Sequence, residues 1–522
     1  MASAREGAQH APQAGAFRRR TSRFLAALLV LCGGAVRADK TEVTPSLSLS
    51  QTYTDNVSLA AEGSRLSDSI TQVVPGISIA STGPRLRFSA RYAPELLYYS
   101  KLDREDTVFH RGNAVGNLEL AEQFLFIEAG ARIDQYDVSL QGPLTTSNVN
   151  ATGNRATTRT SYLTPYLLHD FGSAARAEVR HTYSVVRSDE QTSLPDSEAN
   201  RAVVRLASGP AYRRFTWDTA FTRETIKYDE TRQETTSDVF TAGARRLISP
   251  SVALLARAGH ESYDSQVTGL VLDGSRWGAG LEWTPTPRTR LVATAGKRFD
   301  DDAYGLEFSH RTRLTTWSAS YTEDVTTSRS ELFVPETAST AGTLDQLFAA
   351  QHPDPAERQK AVQEFIARTG LPPSLNAPVN FFSDLLFLQK RWLASAALQG
   401  ARNTLIANVF WETREALLGG TALPASGDFA ASNSIRLAGT SLAWNWRVTA
   451  RNTWNLSAGY TRSEFLDTNR VDDHTYIRAG LTRQLQPRLS GSLFYRRQEN
   501  ESSQGVNVYV ENAVVASVQA TF

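Results

Sequence analysis

Apolar and polar positions alternate with a period of two through most of the chain. Leu86, Phe88, Ala90 and Tyr92 interleave with Arg85, Arg87, Ser89 and Arg91. Trp277, Ala279, Leu281 and Trp283 repeat the pattern, as do Trp454, Leu456, Ala458 and Tyr460. This spacing predicts strands with one apolar face and one face rich in Arg, Asp, Glu, Ser, Thr and Asn. The segments run for roughly 10 to 15 residues, whereas strands of globular domains average about 5 to 6. Their connections alternate in length. Short ones (81–84, 169–172, 208–210, 485–487) alternate with long polar ones (136–159, 188–198, 228–237, 466–474).

Long strands, short turns on one side and long loops on the other predict an all-β fold. Specifically, they predict a large transmembrane antiparallel up-and-down β-barrel of about 22 strands, in the range 20–24. An even count leaves both chain ends in the periplasm and puts every short turn there. The last strand ends on an aromatic residue, with Val514, Ala516, Val518, Ala520 and Phe522 on one face. A terminal Phe in that setting resembles the signal read by the outer-membrane barrel assembly machinery, so Phe522 is the candidate assembly signal.

One stretch breaks the alternation. Residues 330–382 carry helical signals, with Leu344, Leu347 and Phe348 on one face of a short segment. A second segment is capped by Asp354, Pro355 and Glu357, has Ala361, Val362, Phe365 and Ile366 as its stripe, and stops at Gly370. Strand parity places this insert on the extracellular side. Its apolar stripe needs a surface to bury against, so it either folds inward as a lumen constriction or stands out as a surface cap.

The N-terminus fits a cleaved signal peptide over residues 1–38. Arg18, Arg19, Arg20 and Arg23 precede an apolar run, and Val36-Arg37-Ala38 fits the cleavage pattern. The barrel domain is then 39–522. Removing the six arginines and one glutamate of 1–38 turns the net charge from +1 to −4. That balance excludes a general nucleic-acid binder. The one cysteine, Cys32, lies in the signal segment, so the mature chain has neither disulfides nor thiolate chemistry. No stretch reaches the ~18 consecutive apolar residues of a spanning helix.

Sequence motifs for chemistry are absent. No nucleophile elbow, phosphate-binding loop or metal-ligand spacing occurs, and His110, His169, His181, His260, His310, His352 and His474 are scattered. No enzyme, cofactor or metal is expected. Asp300–Asp302 and Asp472–Asp473 read as solvated loops before they read as a calcium site. The inward register makes Arg87, Arg91, Arg132, Arg180, Asp218, Glu224, Arg478, Arg488 and Arg496 the candidate pore lining, with an alternative role in bracing the wall. Trp217, Trp277, Trp283, Trp317, Trp411, Trp454, Tyr460 and Tyr495 are expected on the lipid-facing wall.

The start of the mature chain adds a further signal. Residues 45–60 read PSLSLSQTYTDNVSLA and carry a Tyr-x-Asp-Asn-Val element; VVPGISI (73–79) and YAPELLYY (92–99) follow. This start resembles the uncharacterised outer-membrane β-barrel family associated with the PEP-CTERM/exosortase system of exopolysaccharide-producing Gram-negative bacteria. The resemblance implies an outer-membrane location and a link to exopolysaccharide export and protein sorting; it supplies no catalytic residue. Together the signals predict a monomeric outer-membrane pore or export channel. Its partners would be outer-membrane lipid, the assembly machinery and the exopolysaccharide or its export apparatus. The alternatives are a plugged scaffold barrel for surface attachment or assembly, and an outer-membrane lipid or glycan hydrolase.

Overall fold

The computed structural model describes residues 40–102, 105–189, 195–333, 383–419 and 427–522, together with Leu344, Asp345, Phe348, Arg358, Ala361, Val362 and Phe365. Residues 1–38, expected to be a signal peptide, and Leu347 and Ile366 of the insert, lie outside the described residues.

The chain is a single antiparallel sheet closed on itself. β1 (Lys40–Thr54) and β2 (Asp68–Thr82) are followed by β3 (Leu86–Tyr92) and β4 (Glu95–Tyr99), one stave interrupted at Ala93-Pro94. Pro94 has no N–H to give to a ladder, which accounts for the break. β5 (Thr107–Phe109) and β6 (Gly112–Ala121) share the next stave. Then come β7 (Leu125–Asp137), β8 (Arg155–Phe171), β9 (Ala175–Ser188), β10 (Ser197–Ser208), β11 (Phe215–Tyr228) and β12 (Glu234–Ser249). β13 (Val252–Ser265), β14 (Leu270–Thr286), β15 (Thr289–Arg298), β16 (Asp301–Arg311) and β17 (Thr315–Thr327) lead to the insert. β18 (Leu386–Gln399), β19 (Asn403–Ala416), β20 (Ser434–Arg447), β21 (Asn452–Phe465), β22 (Arg470–Gln486), β23 (Leu489–Ser502) and β24 (Tyr509–Thr521) complete the wall. The 24 segments make 22 staves, as the sequence predicts.

Closure is direct. β1 pairs with β24 from Ser46↔Thr521 to Thr54↔Ala513. The Phe522 N–H donates to the Pro45 carbonyl at 2.9 Å. No stave is left with an unpaired edge, so the backbone is satisfied without water.

The alternation sorts the two faces. Leu49, Val271, Trp277, Trp454, Leu493 and Val514 project outward with no protein cover. Each next residue along the strand turns inward, and the inward residues are mostly polar. A closed barrel with an apolar outer wall has one stable solvent, a lipid bilayer. Trp283, Trp317, Trp411, Tyr460 and Tyr495 are exposed on the same outer face.

Candidate functional site

Chain segments from the extracellular side fold into the lumen and close part of it. The first is the β7–β8 connection, residues 138–154. It crosses the mouth instead of standing in solvent. Its Leu140 and Leu144 pack with Leu385, Phe387, Phe410, Phe429, Ile435, Leu437 and Phe465. Further along, Val149 joins Val57, Ile70, Leu97 and Tyr99. This cap therefore spans from the β18–β21 wall to the β1–β4 wall.

Polar side chains pin the cap at each crossing. Asn150 donates to Glu511 at 2.8 Å, and Glu511 also accepts from Arg496, Gln498 and Thr54. Asn148 donates to Glu95 at 2.8 Å, and Glu95 pairs with Arg111. The Tyr509 hydroxyl donates to the Leu144 carbonyl at 2.6 Å. Asp428, on the β19–β20 loop, accepts from the Leu140 N–H at 2.8 Å and from the Ser139 hydroxyl. Burial pushes the Asp428 carboxyl above the usual carboxylate range, against those hydrogen bonds.

The Tyr-x-Asp-Asn-Val element belongs to this cap. Asn56 is fully buried; its amide donates to the carbonyls of Ala60 and Val510 and accepts from the Ala60 N–H. Asp55 accepts from the N–H and side chain of Asn512. Val57 sits in the cluster around Val149. The element thus ties the first extracellular turn to β24 across the seam and gives the cap a seat.

The second closing segment is the start of the insert. A helical turn, Ser328–Glu331, is capped by Thr327. Arg329 is 1 % exposed and reaches the opposite wall, donating to the Ser184 carbonyl and hydroxyl and to the Ser197 hydroxyl. Leu332 and Phe333 pack against Tyr136, Val138 and Val186. Glu331 turns the other way, accepting from Gln389 at 2.6 Å and pairing with Arg414 at 3.3 Å. Burial pushes its carboxyl up; Arg414 opposes that shift and Glu412 adds to it.

Deeper in the lumen, Leu344, Phe348 and Val362 of the insert are buried against Ala397, Ile406 and Ala443, with Ala361 and Phe365 beside them. These wall residues are inward positions of β18, β19 and β20, aligned as Ala397↔Ile406↔Ala443. Ala397 lies ten residues beyond Phe387 along β18, roughly 33 Å of strand. The insert's apolar residues thus cover an apolar patch well below the mouth.

The rest of the wall is different. From β3 to β16 most inward residues are polar or small, with Phe126, Tyr166, Val203, Ile226 and Leu255 among them, and several keep contact with water. Glu307 and Arg290 pair at 2.9 Å with side chains 65 % and 47 % exposed, and Arg245 and Arg290 share Glu282. Gly278 and Gly296 face each other across β14 and β15. A Cβ on Gly296 would overlap the Trp277 carbonyl, so this part of the wall is flat by necessity.

The predicted lining residues fall into four groups. Arg87, Arg91, Arg132 and Asp218 are inward and exposed, and Glu224 is inward and half-buried. Arg180 and Arg496 are wall braces: Arg180 pairs with Glu128 and Glu178, and Arg496 is buried on Glu511. Arg478 stacks over Phe494 at 4.0 Å. Arg488 sits in the turn before β23, because Pro487 has already ended the ladder. In the sequence the cap is one of the long polar connections. Its signal was available in Leu140, Leu144 and Val149, apolar positions inside a polar stretch.

Hydrolytic chemistry finds no assembled centre. His260 pairs with Asp273, His110 with Tyr92 and His310 with Thr289. Among the described residues no serine is bonded to a histidine, and no three His, Cys, Asp or Glu groups converge for a metal. Asp302 pairs with Lys297 and Asp473 with Arg462.

This is an outer-membrane β-barrel. No protein-family model matches the chain, and no curated relative does. Solved structures similar to it are barrels. The siderophore receptor PirA from Pseudomonas aeruginosa is 10% identical over 92% of this chain and 80% of its own, with a TM-score of 0.42. The ferric citrate transporter FecA is 10% identical over 92% and 78%, with a TM-score of 0.45. OpdK from Pseudomonas aeruginosa is 8% identical over 92% and 99%, with a TM-score of 0.35.

Proposed function

We propose that the protein is an outer-membrane channel closed by its own extracellular segments, and that its cargo is a hydrated polymer of the exopolysaccharide class. One observation carries the reading: the two sides of the lumen differ in chemistry. The β18–β20 side carries an apolar patch under the insert. The β3–β16 side carries water-exposed charges among mostly polar and small residues. A wall that served only to be filled would gain from apolar residues all round, since burial of apolar area is the main source of packing energy. Keeping half of it wet and polar suits passage of a hydrated solute along that half. The resemblance at residues 45–60 supports exopolysaccharide export linked to PEP-CTERM protein sorting. Lipid and the barrel assembly machinery are the partners such a barrel requires.

A planar-bilayer recording tests this. The intact protein should be silent or show small steps, and a variant lacking 336–378 should show large, stable ones. Neutral polymers of graded size would then give the width of the passage. A folded deletion variant that stays silent would overturn the channel. In that case the plugged scaffold would stand, a reading favoured by the buried Glu331–Arg414–Glu412 pairs that clamp the insert to the wall. Hydrolysis of labelled lipid or glycan is not expected from either variant.

A further inference from the structure

We infer that the open side of the lumen binds anionic glycan chains, those bearing carboxylates, through a ladder of arginines centred on Arg201, Arg205 and Arg257. This rests on the channel reading above and gives its cargo a charge.

Most inward arginines have a counter-ion. Arg132 has Asp134, Arg245 and Arg290 have Glu282, and Arg414 has Glu412. Arg201 and Arg205 on β10 and Arg257 on β13 are also inward, by their pairings with Glu224, Ala220 and Gly278. They are exposed, and no carboxylate of the described residues pairs with any of them. Arg87 and Arg91 on β3 share that condition. The exposed or half-buried inward acids on this side without an ion pair are Glu119, Asp218, Glu224 and Asp301, four against the five arginines named. The unmatched charge is therefore positive inside a chain that is otherwise slightly acidic once its signal segment is removed.

Geometry makes the charge usable by a polymer. Arg201 and Arg205 are about 13 Å apart along their strand, and Arg257 is three strands away, about 14 Å across. Among the inward positions between them Ala220, Thr241, Gly243 and Gly259 are small, while Val203 separates Arg201 from Arg205 and the carboxylates of Asp218, over Gly243, and Glu224, opposite Arg201, interrupt the floor. A chain with an acid group on each sugar could lie over this floor and meet successive guanidinium groups. Guanidinium is suited to the contact because its donors match a carboxylate in pairs and its charge persists at any working pH. A neutral glycan would gain none of it.

The test is equilibrium binding to the full-length protein in detergent micelles, where the ligand has access to both ends of the barrel. Labelled hexagalacturonate is compared with maltohexaose, a neutral chain of equal length. The acidic chain should bind at least about tenfold more tightly, with the preference falling as salt rises. Arg201→Gln, Arg205→Gln and Arg257→Gln together should remove the preference, and each alone should weaken it if the triple variant does not fold. Arg223→Gln, the same charge change as each single substitution but on the outer wall, should leave it intact. Equal binding of the two glycans, a preference that survives the inward substitutions, or one lost with Arg223 would overturn the inference. Persistent uronate binding in a protein whose insert deletion conducts nothing would defeat the channel and leave the ladder standing.

Discussion

Ala458 faces outward from the middle of β21, and its neighbour Ser457 faces inward. Arginine at 458 would sit in hydrocarbon at a cost of roughly 2–4 kcal/mol, so Ala458→Arg should lower the folded fraction seen as heat-modifiable mobility on gels. Thr294→Arg, inward and exposed on the open side, should fold normally. The sequence pattern would treat Ser457 like Thr294. The structure separates them, because Ser457 is 4 % exposed and pairs with Ala443 beneath the insert. Ser457→Arg should therefore assemble and yet leak in bilayer recordings. Equal losses of folding at 458 and 294 would refute the register of β15 or β21.

At the scale of elements, the cap and the turn before the insert each carry a buried acid. Asp428 holds the cap and Glu331 holds the turn, and burial raises both above the ordinary carboxylate range. A raised acid is one the docked segment prefers protonated. Its charged form costs stability at neutral pH, and that cost fades as pH falls through the raised value. Docking of the cap should accordingly strengthen on mild acidification. Hydrogen-exchange protection factors over 138–154, corrected for intrinsic rates, should rise from neutral pH toward the raised value. Asp428→Asn, which mimics the protonated acid, should raise protection at neutral pH and flatten the response. A cap that loosens in acid would show that lost hydrogen bonds outweigh relief from burial.

The whole molecule depends on its seam. β1 and β24 are the first and last strands, brought together at the greatest sequence separation. Phe522 lies at the periplasmic end of that seam, 63 % exposed, with its N–H on Pro45. At the other end, Asn56 and Asp55 bind Val510 and Asn512. Deleting Phe522 should cut the amount of folded barrel in cells while leaving refolding into detergent nearly unchanged, since one terminal hydrogen bond contributes only about 1 kcal/mol. A comparable loss in detergent would make Phe522 structural and remove the reason to regard it as an assembly signal.

Much of this architecture is legible in the sequence alone. A period of two reports which face each residue takes, and long strands with alternating turns report a barrel, because every strand must cross the same bilayer thickness. The 22 staves, the outward tryptophans and the inward arginines follow from that local rule. What fills the lumen does not follow. Whether Leu140, Leu344 or Phe348 lies in water or inside the barrel depends on partners far away in sequence, such as Phe465 and Ala443. The same holds for charge. Arg496 and Arg201 look alike as inward arginines, and only their neighbours decide that one braces the wall on Glu511 while the other faces the open side. Periodicity is a property of one strand, whereas closure and counter-ions are properties of strands that meet only in the folded barrel.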